Sequence, residues 1–196
     1  MLVRTTTASA LPVSLDDAKA WLRVDHNDED ELITRLVYGA VAATEDRTGR
    51  ILAPSSWEWQ ADRWDRWFAI PAFPIRDVTS VVYLDEDGTE QTLDAADWYW
   101  HRTAEGAEVR FVSTWSSPTL YDRPRSVRVR FDAGYDDPTA SGSGDDPDLV
   151  LPENAKMALR FLIAHWYANR ESVTTANVYE VPQTFEYLAQ QLRIFR

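Results

Sequence analysis

Carboxylates are the most abundant groups in this chain that could do chemistry, and two acidic runs begin like calcium-binding loops. Oxygen-bearing side chains alternate over residues 25–29 and again over residues 85–89, as the first ligands of an EF-hand do. An EF-hand loop also needs a glycine at position six and a glutamate at position twelve, and neither run has them. We therefore interpret the runs as a helix N-terminus and a hairpin turn, and we predict no metal site.

The other residue types used in catalysis give no recognisable site. The three histidines, His26, His101 and His165, are not spaced to share a metal on one helix. The chain has no cysteine, which excludes thiol catalysis and thiolate metal sites, and it has no phosphate-binding glycine loop or GxSxG elbow. Only the abundant acids would support an unrecognised enzyme, so we predict that the chain is not an enzyme and needs no cofactor.

The centre of the chain combines arginines with tryptophans, a mixture that suggests binding. The one basic concentration contains Arg123, Arg125, Arg128 and Arg130, and seven of the nine tryptophans fall between residues 57 and 115. Such a mixture could bind single-stranded nucleic acid, but a net charge of −12 argues against it. We interpret the rings mainly as core, and a tryptophan-rich glycan-binding module remains an alternative function.

Helical patterns occupy both ends of the chain. Ser14 is a good N-cap for a helix over about 14–23, and a second helix begins at Asn27 or Asp28 and ends at Gly49. A third covers residues 153–170 and a fourth begins near Thr184. No apolar run reaches the length of a membrane helix, and the N-terminal residues do not resemble a signal peptide, so we expect a cytoplasmic product.

A period of two replaces the helical period between residues 51 and 135 and predicts four or more antiparallel strands, with a hairpin at Asp87–Gly88. Residues 136–150 are acidic, contain serines and glycines, and are predicted to form a flexible loop. The fold class expected is α+β, a helical bundle of about four helices with an inserted small antiparallel β domain. Residues 1–50 and 151–196 would form the bundle, and residues 51–135 the insertion.

Motifs along most of the chain resemble the head–tail connector family of long-tailed bacteriophages, also called adaptor or head-completion proteins, whose relatives occur in phage-like gene transfer agents. The order and spacing of the matching segments carry the resemblance. These segments are Ser14–Asp25, Asp28–Ile33, Ala42–Gly49, Thr79–Tyr83, Asp85–Gly88, Val129–Tyr135, Pro152–Glu153, Ala164–Glu171 and Leu192–Arg196.

The resemblance implies a virion structural protein without catalytic residues. It implies a ring, usually a dodecamer, that sits on the capsid portal, extends the DNA channel and offers a docking platform to the stopper or tail. The implied partners are the portal protein, further copies of this chain and a stopper or tail protein. Double-stranded DNA would pass through without sequence-specific binding, and no membrane is involved. Such a protein is made in the cytoplasm of a bacterial host and ends at the head–tail junction of a virion or virus-like particle.

The family's C-terminal segment usually faces the portal, and this implies a set of portal-binding residues. They are Phe185, Leu192, Arg193, Ile194, Phe195 and Arg196. The residues themselves equally allow a C-terminal helix that only closes the bundle. A ring also gives the acids a role, since a negative wall would repel DNA and prevent it from sticking. The acids expected to face the channel or the tail are Asp28, Glu29, Asp30, Glu31, Asp145, Asp146 and Asp148.

Overall fold

The computed structural model describes residues 1–6, 10–136, 146, 149–169 and 183–194, which contain four helices and eight strands. The helices are α1 Leu15–Leu22, α2 Asp30–Thr48, α3 Glu153–Ala168 and α4 Gln183–Leu192. The strands are β1 Leu2–Arg4, β2 Ser55–Ala61, β3 Trp67–Ile70, β4 Ile75–Leu84, β5 Glu90–Thr92, β6 Trp98–Thr103, β7 Gly106–Phe111 and β8 Val127–Ala133. The chain divides into a β unit, residues 1–9 with 54–134, and a helical unit, residues 10–53 with 135–195.

The larger sheet of the β unit has five antiparallel strands in the order β1-β2-β8-β4-β5. Its central strand, β8, alternates as the sequence predicts. Val127, Val129 and Phe131 are almost fully buried, while Arg128 and Arg130 lie on the opposite face. A period of two places successive side chains on opposite faces, so one face of this sheet forms apolar core and the other carries charge.

The second sheet of the β unit has three antiparallel strands in the order β3-β7-β6. Phe68, Ile70 and Val109 are buried on its inner face. Gly106, at the start of β7, has a φ of 156°, and a Cβ atom built on it would lie 2.0 Å from the carbonyl oxygen of Ile70. Only glycine permits this approach of the two backbones.

Local sequence signals explain the helices of the helical unit. The Ser14 hydroxyl accepts a hydrogen bond from the Asp17 N–H at 3.1 Å and so caps α1. Along α2, Ile33, Val37 and Ala40 recur on one buried face, and Gly49 ends the helix with a φ of 73°. Among the described residues, no helix is long and apolar enough to cross a membrane.

The expected fold, a helical bundle with a small inserted β domain, is wrong. The described residues contain the four expected helices, but two antiparallel sheets with eight strands dominate the core, so the fold is a mixed α+β fold and not a helical bundle with a small insertion. The sheet also begins before the first helix, because Leu2–Arg4 pairs with Trp57–Trp59. A three-residue strand has too few positions to display a period of two, and its partner lies more than fifty residues away.

Candidate functional site

The C-terminal helix α4, which contains two of the expected portal-binding residues, has one buried face and one exposed face. Phe185 and Leu192 are 3% and 2% exposed, and both belong to the core of the helical unit, where α4 packs against α2 and α3. On the other side, Tyr187 is 64% exposed and Arg193 follows the helix as an exposed residue. Portal contact by these residues remains a prediction, and Tyr187 is an exposed aromatic ring that the sequence pattern did not single out.

Arg50 fixes the C-terminal end of α4. Its Nε donates to the carbonyl oxygen of Leu192 at 2.5 Å, and its Nη1 donates to the hydroxyl oxygen of Tyr135 at 2.5 Å. The Ile194 N–H donates to the Thr48 carbonyl at 3.0 Å. Thr48 is the last residue of α2 and precedes the Gly49 cap. The last carbonyls of a helix lack partners within it, and Arg50 satisfies one of them. Residues 195 and 196, both in the expected portal-binding set, lie outside the described residues.

The buried phenol of Tyr135 leads us to expect that the stability of the helical unit depends on pH in alkali. Burial raises the pKa of Tyr135 above its ordinary value of 10.0, although the neighbouring Arg50 guanidinium acts in the opposite direction. Because the folded-state pKa is the higher one, the stabilisation is complete below about pH 10 and is lost as the pH rises through the folded pKa. We expect the free energy of unfolding to fall less steeply above pH 10 in Tyr135→Phe than in the unsubstituted chain. Equal slopes in urea titrations at pH 9 to 11 would contradict this.

The acids at the start of α2 are largely paired within the helical unit. The Lys19 Nζ lies 2.7 Å from Asp30 Oδ1, Arg35 pairs with Glu31, and the Tyr167 hydroxyl donates to Glu29. Asp28 has a 93% exposed side chain, and within the described residues it makes one ion-pair contact, at 3.8 Å with His26. Asp28 and Glu31 are therefore the acids of this run that present charge to solvent, since the Glu31 side chain is also 82% exposed.

Among the described residues, neither the acidic loop nor the two calcium-like acidic runs form a metal site. Asp145 and Asp148, which were expected to face the channel or the tail, lie outside the described residues, as does most of the loop predicted to be flexible. The backbone carbonyl of Asp146 accepts the Leu149 N–H at 3.0 Å. Within the described part of the chain, no three His, Cys, Asp or Glu side chains form a group that could hold a metal ion.

Six of the seven central tryptophans are half-buried and lie at the boundary of the core of the β unit, and none of the seven is fully buried. The Trp64 ring contacts Tyr83, Phe111 and Trp115 at centroid distances of 5.0 to 5.6 Å, and its Nε1 donates to the Pro118 carbonyl at 3.0 Å. Of the seven tryptophans between residues 57 and 115, only Trp67 is a clearly exposed ring, at 43%. Sugar binding usually needs an exposed stacking surface, and a single ring gives the glycan-binding alternative little support.

The basic concentration of the sequence separates into two pairs in the structure. Arg128 and Arg130 bind Glu90 at 3.0 and 2.8 Å, and Arg130 also lies 3.4 Å from the nearly buried Glu58. Arg123 and Arg125 lie in the exposed loop before β8. The alternation of β8 predicts the sheet face that carries the first pair, but the sequence does not reveal which arginines find acidic partners.

Comparison with known proteins gives a family and a fold. The model of the phage gp6-like head–tail connector protein family matches residues 12–110, just over half of the chain. No curated protein matches the chain in sequence. Among solved structures, a chain in the neck of an empty GTA particle computed with C6 symmetry is similar, with a TM-score of 0.76, 21% identity, and coverage of 100% of this chain and 96% of that chain.

Two further solved structures share the fold at the same coverage of both chains. One is in the virion of a native gene transfer agent particle, with a TM-score of 0.74 and 23% identity. The other is in the neck of a native GTA particle computed with C12 symmetry, with a TM-score of 0.71 and 21% identity. At these identities the likeness concerns the fold, and it extends over both units of the chain.

Proposed function

The chain belongs to the phage gp6-like head–tail connector protein family, and from that premise we propose that it forms a ring on the capsid portal. Its role is that of a structural connector. Members of the family are structural components of the virion and are not known as enzymes. In the proposed assembly the ring extends the DNA channel and offers the docking platform for a stopper or tail protein. The family match carries this proposal.

The proposed ring has twelve copies. The support is the fold that this chain shares, over its whole length, with chains in GTA necks computed with C12 and C6 symmetry. A cyclic ring needs two different contact surfaces on each copy, one for each neighbour. The proposed location is the head–tail junction of a phage or gene transfer agent particle, after synthesis in the bacterial host.

The proposed portal contact is the exposed side of α4 with the residues that follow it. The buried Phe185 and Leu192 hold α4 in the helical unit, while Tyr187 and Arg193 are exposed. Tyrosine and arginine are, with tryptophan, the residue types enriched at the energetic centres of interfaces. Phe195 and Arg196 complete the contact in this proposal, the first as an apolar anchor and the second, like Arg193, as a partner for portal acids.

The proposed channel or tail surface is acidic. Asp28 and Glu31 present carboxylates to solvent at the start of α2. In this proposal Asp145, Asp146 and Asp148, from the acidic loop, add further negative charge. Glu29 and Asp30 belong to the same run but are engaged with Tyr167 and Lys19. A negative wall would let double-stranded DNA pass without binding to it.

The test is to mix the purified chain with the portal protein from the same genome and to measure the mass of single particles, followed by electron-microscopic imaging of the large species. We expect a ring on the portal. Replacing Tyr187 by alanine should weaken binding to the portal by about tenfold, the effect of losing roughly 1.4 kcal/mol at an interface centre.

A matched control uses the same substitution on another exposed tyrosine. Tyr38 lies on α2 and is 54% exposed, close to the 64% of Tyr187. We expect Tyr38→Ala to bind the portal like the unsubstituted chain. A chain that ignores the portal would refute the ring proposal, and equal losses in both variants would refute the assignment of α4 as the portal contact.

A further inference from the structure

Four exposed arginines lie in two loops at one end of the β unit, and within the described residues none of them has an acidic partner. Arg63 and Arg66 follow β2, and Arg123 and Arg125 precede β8, its neighbour in the sheet. We call these four residues the arginine end. Within the described residues none of the four guanidinium groups has an ion pair, in contrast to Arg128 and Arg130 a few positions further on.

The loops of the arginine end are held in place by hydrogen bonds. Asp62 Oδ1 accepts the Arg125 N–H at 2.8 Å and so joins the two loops. The Ser126 hydroxyl, which is fully buried, lies 2.6 Å from the Arg123 carbonyl oxygen and 3.0 Å from that of Tyr121. Arg125 has a φ of 63°, a left-handed conformation that is costly for any residue with a Cβ atom. The arginines are therefore carried by two loops that a hydrogen bond joins.

An aromatic groove adjoins the arginine end. Its lining includes Trp59, Arg63 and the exposed ring of Trp67. Tryptophan and arginine are enriched at the energetic centres of protein interfaces, and the guanidinium group binds carboxylates through two parallel hydrogen bonds. This combination fits an acidic protein surface with some apolar area.

Duplex DNA fits the arginine end less well. Asp62, Asp65 and Asp122 lie in the same two loops, so acids are interleaved with the arginines. Affinity for DNA depends on an excess of cations placed on phosphates. At the arginine end the acids offset most of the positive charge, so almost no such excess exists. Asp62 and Asp65 accept backbone N–H groups, which leaves the arginine side chains to meet separate carboxylates on a partner.

The complementary surface lies on the chain itself. Residues 10–53 contain nine Asp and Glu against five Lys and Arg. On α1, Asp16 and Asp17 are exposed, and within the described residues neither has a cationic partner. The arginine end therefore offers positive side chains and the α1 surface offers negative ones. Two different surfaces of opposite charge suit a head-to-tail contact between copies.

We propose that the arginine end binds the α1 surface around Asp16 and Asp17 on a second copy of this chain. This inference rests on the proposed function, because it assigns one lateral contact of the proposed ring. Each copy uses its arginine end toward one neighbour and its α1 surface toward the other, which is the requirement for a closed ring.

The experiment reverses each surface and then combines the two variants on the portal. Arg63→Glu with Arg123→Glu reverses the arginine end, and Asp16→Arg with Asp17→Arg reverses the α1 surface. We expect either double variant alone to give at least tenfold fewer rings by single-particle mass measurement. An equimolar mixture should recover rings of alternating composition, because each reversed arginine end then meets a reversed α1 surface. Circular dichroism checks that each variant is folded.

A control separates the contact from a general effect of charge. Arg23→Glu with Arg35→Glu makes the same change in net charge at exposed positions of the helical unit, and we expect rings to form normally. If the reversed arginine end still forms rings while the unsubstituted chain does, the inference is overturned and the proposed function stands. If the variant with the reversed arginine end still forms rings but loses salt-sensitive binding of a 30-base-pair duplex, the arginine end is a DNA contact. The inference is then also overturned. If the unsubstituted chain forms no ring on the portal, the proposed function and the contact are both overturned.

Discussion

Replacing Gly106 by alanine is expected to disrupt the three-stranded sheet and to lower the free energy of unfolding by about 4 kcal/mol or more, in the range of severe single substitutions. The new Cβ atom would lie 2.0 Å from the Ile70 carbonyl oxygen and 2.9 Å from the Ala72 nitrogen. Both are backbone atoms, so no side chain can rotate away and the strand itself has to move. Tryptophan fluorescence during urea unfolding measures the effect.

Gly49 provides the control for Gly106. It also has a positive φ, 73°, but a Cβ atom added there would meet nothing within 4 Å. Gly49→Ala should therefore show only the conformational cost of about 1 kcal/mol for a left-handed residue with a Cβ. Equal destabilisation of the two variants would mean that backbone conformation, and not the contact with Ile70, sets the cost at Gly106.

Replacing Arg50 by alanine is the second substitution with a large expected effect. It removes the donors to the Leu192 carbonyl and to the Tyr135 hydroxyl, and Tyr135 is only 2% exposed. The substitution removes two hydrogen bonds from a charged group and leaves a buried acceptor unpaired. We therefore expect the free energy of unfolding to fall by about 3 kcal/mol. Because the same contacts position the end of α4, we also expect fewer rings on the portal. Thermal unfolding and the portal mixing assay measure the two effects.

Arg47 is the matched control for Arg50. It pairs with Glu186 on the same helix α4, but its side chain is 46% exposed and that of Glu186 is 32% exposed. An exposed ion pair contributes less than about 1 kcal/mol, so Arg47→Ala should remain close to the unsubstituted chain in stability. If Arg47→Ala and Arg50→Ala lose equal stability, the contacts of Arg50 with Leu192 and Tyr135 are not the cause.

Local signals allowed much of the fold to be predicted from the sequence. The Ser14 cap, the Gly49 terminus and the Asp87–Gly88 hairpin follow from the chemistry of single residues and their near neighbours, and the structure confirms all three. The alternation of β8 likewise predicts which side chains face the core. Such features depend on interactions between residues that are close in sequence, and these residues are also close in the fold.

Features that depend on distant pairing could not be predicted in this way. The tryptophan-rich segment is divided between two sheets, with Trp59 in β2 and Trp67 in β3, although the residues are close in sequence. Arg50 follows a helix end and belongs to no periodic pattern, so its contacts with Tyr135 and Leu192 had no sequence signal. The same holds for the candidate site, because the sequence cannot distinguish Arg128, which pairs with Glu90, from Arg123, which has no ion pair within the described residues.

The strand order also has a consequence for biosynthesis. β8 lies between β2 and β4, although it is the last strand of the β unit to be translated. Until residue 133 has left the ribosome, β2 and β4 each lack the neighbour that completes them, and their apolar faces and unpaired backbone groups stay open to other chains. The five-stranded sheet therefore cannot close until nearly the end of the synthesis of the β unit, although β1 can pair with β2, β4 with β5, and β7 with β3 and β6 before then. A premature stop before β8 would release an aggregation-prone fragment and not a smaller version of the domain.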